Sequence, residues 1–239
     1  MPRDHIDFIS SYCDRWCERC AFTERCANYS VRIATGMCEG DHDAAIELAI
    51  GVAQPVGKPR DQALSEGLLR ELGDVVVSDL DLDEHHRLEC ARRARLERLP
   101  LTGMTDTYTR RAVGWLQAHG ESPEGTTDSA LREAFAIVGW DVWLIGAKIH
   151  RALRGRDAAR TGEWPADHRV QNDWNGSAKV ALLLLSRSER AWRAIADATG
   201  DEQAAILADG LRLLTRAVER EFPDAMAFVR PGFDEGDDS

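Results

Sequence analysis

Lysine is nearly missing from this chain. Lys58, Lys148 and Lys179 are the three lysines among 30 basic residues, and arginine supplies the rest. A GC-rich coding bias accounts for the pattern. It also singles out the surviving lysines as positions where a compact ammonium is kept over a planar guanidinium. Strand signals are scarce too. The one β-branched run is Val75–Val77, flanked by Gly73 and Asp79, which argues against sandwiches, barrels and parallel-sheet folds. Long apolar runs are lacking. The longest candidate, 134–149, is interrupted by Asp141 and Lys148, short of the ~20 apolar residues a bilayer span needs. The stretch "MPRDHIDFISSYCDRW" contains no apolar segment able to act as a signal peptide. The expectation is a cytoplasmic protein without a membrane partner. Positive charge is in deficit, with 41 acidic residues and a net charge of −11. That disfavours a nucleic-acid partner, because phosphate binding needs a basic face. A protein partner remains open, as does the oligomeric state.

What is plentiful is helix signal. The 239 residues, 44% of them hydrophobic, suffice for a sizeable core. The stretch 129–154 sets Leu131, Phe135, Val138, Val142, Ile145, Ile149 and Ala152 in steps of four and three, a core-facing helical stripe. Trp140, Trp143 and Leu144 add apolar bulk on the other sides, predicting a central helix buried on most faces. Gly139 and Gly146, seven apart, predict close approach of a neighbouring helix. "NGSAKVALLLLSRSERAWRAIADATG" reads as a helix capped by Asn175 or Ser177 and closed by Gly200. "DEQAAILADGLRLLTRAVEREF" follows at once, with Leu207, Leu211, Leu214 and Val218 as its stripe and Pro223 as its stop. Their short connection predicts that these two helices pack together. Further helices are expected in "DHDAAIELAIG", "DQALSEGLLRELG", "DLDEHHRLECARRARLERL" and "DTYTRRAVGWLQAHG". The expected fold is all-α, a bundle of roughly six to eight helices with an N-terminal Cys-rich helical segment docked on it. The expected organisation is a Cys-rich metal-binding segment and linker over 1–60, the bundle over 61–228, and an acidic disordered tail over 229–239, with one compact domain overall as the alternative.

The chemistry-bearing feature is "SYCDRWCERCAFTERCANY", residues 11–29. It holds Cys13, Cys17, Cys20 and Cys26, with Cys38 shortly after. In a reducing compartment such clustering points to metal ligands or redox thiols rather than structural disulfides. Cys13, Cys17 and Cys20 fall at i, i+4 and i+7, one face of a helix expected over about 7–19. Along an unbroken helix, i and i+7 lie about 10 Å apart, too far for two thiolates of one zinc ion, which stand roughly 4 Å apart. That geometry favours an iron–sulfur cluster, whose thiolates are more widely spaced. If the helix breaks near Cys17, Cys17-x-x-Cys20 becomes a zinc knuckle, completed by Cys26 and either Cys13 or Cys38. The metal-ligand candidates are therefore Cys13, Cys17, Cys20, Cys26 and Cys38. Cys90, on a charged helix, is unrelated to them.

The C-x3-C-x2-C spacing of Cys13, Cys17 and Cys20 resembles the three-cysteine loop of the radical S-adenosylmethionine enzymes. That likeness implies a βα barrel downstream, which the scarcity of strands argues against. Zinc-binding anti-sigma factors have a similar helical triplet with His in the first position; Cys13 stands there in this much longer chain, and neither family is adopted.

Two weaker constellations accompany the cysteines. Lys148 and Asp141 flank the stripe of the central helix on one side, and Lys179 lies in the first turn of the next. Lys148 and Lys179 are candidates for an anion site, against the plainer reading of an interhelical salt bridge. Glu39-x-x-His42 and Asp83-x-x-His86, with Glu133 and Glu219, outline a di-metal bundle site, against solvated surface residues. No phosphate loop, nucleophile elbow or H-E-x-x-H is present. Three functions are in play: a redox or regulatory protein built on a cysteine-bound iron–sulfur cluster or zinc, a zinc-pinned interaction module, and a bundle enzyme with a histidine–carboxylate metal site.

Overall fold

The computed structural model describes residues 5–50, 79–120, 127–162 and 168–234. The expected helix over 61–73, the loop over 51–61 with Lys58, and Val75–Val77 lie outside the described residues. Among those described there are seven α-helices and no strand. They are α1 (Ala27–Met37), α2 (His42–Ile50), α3 (Asp79–Glu97), α4 (Pro100–His119), α5 (Ser129–Arg160), α6 (Asp173–Thr199) and α7 (Glu202–Glu221). The fold is an all-α bundle, and no described helix is long and apolar enough to cross a membrane.

The chain divides into two compact units. One comprises Met1–Ser10 with Cys17–Ala91, the other Ser11–Trp16 with Arg92–Ser239. The boundary therefore cuts α3 between Ala91 and Arg92. It also assigns a six-residue piece of the cysteine segment to the unit that holds the large bundle.

In the large unit, local signals and core stripes agree. The Asp128 carboxylate caps α5 by accepting from the Ala130 and Leu131 N–H groups. Asn172 caps α6, ahead of both predicted candidates, Asn175 and Ser177. Asp201 caps α7 through the Gln203 and Ala204 N–H groups. Each satisfies donors a helix start leaves unpaired. Pro100 opens α4, where its missing N–H costs nothing. Gly200 ends α6 at φ 71°, a left-handed turn glycine enters freely. Asp201 alone then separates it from α7. Every stripe residue predicted on α5 and α7 is buried. Between the helices lie Trp192, Ile145, Leu184, Leu211 and Leu214, each almost wholly buried and worth roughly 1.5–3 kcal/mol. The Trp192 indole N–H donates to the Tyr108 hydroxyl at 3.1 Å, so the largest core side chain strands no polar atom.

Two expectations for α5 change. Trp143 is 64% exposed, so the helix has an open side. Gly139 would meet no atom within 4 Å of an added Cβ, and Gly146 would meet Thr109 and Thr105 only at 3.6 and 3.7 Å, ordinary contact distances. These glycines do not bring a neighbouring helix unusually close.

The smaller unit is built differently. Its described elements are short 3-10 turns at Cys17–Arg19 and Thr23–Arg25, then α1, α2 and the start of α3. Helix α1 packs against α2 through Ala34, Ala45 and Ala49, with Val31 and Cys38 partly buried beside them.

Candidate metal centre

The helix expected over 7–19 is not formed. Single 3-10 turns stand at Ile9–Ser11 and Cys17–Arg19, and Phe8 and Arg15 sit at φ 60° and 55°. Left-handed backbone at non-glycine residues ends a right-handed helix. The Asp14 carboxylate also accepts the Trp16 N–H at 3.1 Å, a local turn that competes with the helical ladder. The spacing of Cys13, Cys17 and Cys20 therefore does not describe one helical face. With it goes the distance argument that favoured a cluster over zinc.

Cys17 and Cys20 bracket one 3-10 turn, closed by a Cys20 N–H bond to the Cys17 carbonyl at 3.2 Å. Side chains three apart on such a turn eclipse, about 6 Å apart along the axis. The Phe22 N–H donates to the Cys20 sulfur at 3.4 Å. Cys26 is the N-cap of α1 and Cys38 its C-cap. The eleven residues of the helix separate them, a rise of about 18 Å along the axis from cap to cap. Cys26 and Cys38 therefore do not serve one ion. Cys38 lies against the alanine cluster, as a small apolar residue would.

Cys13 belongs to the piece held by the bundle. Residues 11–16 are fastened to α5 and α6 at several points. The Ser11 carbonyl accepts from Lys148 Nζ at 2.9 Å and from Arg151 at 3.4 Å. The Tyr12 hydroxyl donates to Asp173 at 3.2 Å, and the ring lies 4.7 Å from that of Phe228. A Cβ on Gly176 would fall 2.4 Å from the Tyr12 ring, so this contact requires glycine. The Asp14 carbonyl accepts the Trp140 indole N–H at 2.9 Å, and Trp16 stacks on Trp140 with centroids 5.3 Å apart. Arg187 joins the Asp14 carboxylate at 2.7 Å and binds the fully buried Asp141 with two N–H groups. The Ser188 hydroxyl completes the Asp141 site at 2.8 Å. Burial pushes the Asp141 carboxyl up, against the pull of Arg187 and Ser188. Burial likewise pushes the Cys13 thiol up, opposed by the Arg15 N–H and by Lys148. It pulls the Lys148 ammonium down to about 8.

The weaker candidates thus acquire definite partners. Lys148 is bonded to Ser11. Lys179 donates to the Phe228 carbonyl at 2.6 Å and pairs with Asp234 at 2.7 Å. Asp141 is matched by Arg187 rather than by Lys148. The sequence reading missed Arg187 and Gly176 and took Trp140 only as apolar bulk; the partners of all three lie far away in the chain. All six cysteines carry thiols in this structure. Among the described residues, no three Cys, His, Asp or Glu side chains converge as a metal-binding group, Glu39, His42, Asp83, His86, Glu133 and Glu219 included. The donor set itself is all sulfur over Cys17, Cys20 and Cys26, chemistry suited to zinc or to an iron–sulfur cluster. The chain matches no family model, no curated protein and no solved structure.

Proposed function

We propose that this is a metal-stapled regulatory or interaction protein, with Cys17, Cys20 and Cys26 as the core of a cysteine-ligated centre that holds the smaller unit in its working form. The observation that carries the reading is the thinness of the core among that unit's described residues. Its described apolar cluster rests on three alanines, whose methyl groups supply about 0.8 kcal/mol each. Ordering each residue's backbone costs about 1–2 kcal/mol. Small units of this kind are commonly held by metals or disulfides, and the thiols here are not paired in disulfides. Zinc is the first choice, because Cys17 and Cys20 sit on one tight turn. A second reading, an iron–sulfur cluster with a redox role, is favoured by the all-sulfur donor set. When bound, zinc would supply a structural tie and a cluster a one-electron couple.

The test is metal analysis of anaerobically purified protein. A colourless protein with zinc supports the first reading, and a brown one absorbing near ~400 nm supports the second. Replacing Cys17 or Cys20 by Ser should strip most bound metal, and Cys90→Ser should leave it unchanged. A protein that takes up neither metal, or that loses metal only in the Cys90 variant, overturns the assignment.

A further inference from the structure

On the far side of α5 from Lys148, α4 and α5 bound a groove of about 1070 Å³. Facing positions on neighbouring helices ordinarily carry large apolar side chains that fill the space. Here α4 presents Thr105, Thr109 and Gly114, and α5 presents Gly146 and Ala147. Small residues can serve to draw helices together, but these do not. A Cβ on Gly114 would meet nothing within 4 Å, and one on Gly146 would only touch threonines. The small residues leave room.

The lining is also chosen in charge. Arg110, Arg151 and Arg154 reach the groove with His150, against Asp106 as the acidic member. In a chain of net charge −11, this is a local cationic site. Arg151 is committed to Asp173. Arg110 and His150 form no ion pair or hydrogen bond with described residues and are exposed. Trp143 lines the same groove, 64% exposed, with no ring stacked on it among the described residues. The Arg110 guanidinium and the His150 ring N–H beside an exposed indole suit a flat anion, which gains charge pairing, a hydrogen bond and stacking. The strongly acidic remainder of the chain repels nucleic acid and acidic protein surfaces, and the volume matches small-molecule sites.

We propose that the α4–α5 groove binds a small anion carrying a planar ring, held by Arg110 and His150 at its charge and by Trp143 at its ring. Mononucleotides and ring-bearing carboxylates share this chemistry. The site lies wholly on the bundle and does not depend on the metal reading.

The experiment is calorimetric titration of the full chain with adenosine monophosphate, 2-naphthoate, inorganic phosphate and polyglutamate, each at several salt concentrations. Binding of the nucleotide or of naphthoate supports the proposal and identifies which source of the anion the groove prefers. Trp143→Ala and Arg110→Gln, both at exposed positions, should each weaken that binding at least about tenfold, or about 1.4 kcal/mol. Gly114→Phe, which projects a ring into open space, should abolish it while thermal unfolding confirms an intact bundle. The proposal is overturned if neither ring-bearing anion binds at millimolar concentration. It is equally overturned if phosphate alone or polyglutamate binds as tightly, or if Gly114→Phe leaves binding unchanged.

Discussion

The bundle and the cysteine unit solve the same problem with different means. The bundle buries Trp192, Ile145, Leu184 and Leu211 along long capped helices, so hydrophobic burial offsets the loss of chain entropy. The cysteine unit offers short turns, two modest helices and an alanine contact among its described residues. The difference teaches that one region specifies its own structure, while the other, on the function proposed above, would lean on its thiol chemistry. Residues 11–16, which interrupt the smaller unit in the sequence, are claimed by the bundle through Lys148, Trp140 and Arg187.

The comparison is broken most severely at Arg187. Arg187→Met leaves the Asp141 carboxylate buried without its countercharge, and such losses cost about 3–5 kcal/mol. Thermal unfolding should show the drop for the whole bundle, and adding Asp141→Asn should restore part of it. A loss below about 0.5 kcal/mol would mean that Asp141 is kept by Ser188 and solvent alone.

A smaller and more local effect is expected at Gly176. Gly176→Ala drives a methyl group into the Tyr12 and Phe228 rings, an overpacking worth about 1–3 kcal/mol. Hydrogen exchange should show residues 11–16 losing protection while α5 and α7 keep theirs. Unchanged protection of 11–16 would show that the Tyr12 contact does not hold the segment.

The smallest effect, and one that depends on pH, concerns Asp234. Burial alone would raise its carboxyl, but hydrogen bonds from Arg230 and Lys179 outweigh this and hold it well below the usual carboxylate range. A depressed acid contributes stability that is present above the unfolded-state value near ~4 and fades as pH falls through the folded one. Asp234→Asn should therefore cost about 1 kcal/mol near neutrality, and the difference from the parent should shrink in acid. A difference constant across pH would assign the effect to packing.

The same contrast decides what could be read from the residues alone. The stripes of α5 and α7 were legible because burial follows helical periodicity, and Gly200 and Pro223 mark helix ends by backbone chemistry. The cysteine segment was misread because thiols at i, i+4 and i+7 imitate a helical face. Its break at Arg15 and its turn at Asp14 have no periodic signature. Trp143 read as core because apolarity does not say which side of a helix is covered. Lys148 and Asp141 were noticed as charges on an apolar helix, but Ser11 lies 137 residues from Lys148 and Arg187 lies 46 from Asp141. Contacts of that range leave no local trace.

The most direct test of this two-part account is hydrogen exchange of the anaerobically purified full chain, with and without a chelator. Protection should fall across residues 17–38 on chelation, while 129–222 exchanges as before, because the bundle carries its own core. Loss of protection spread evenly over both regions, or none in either, would contradict it.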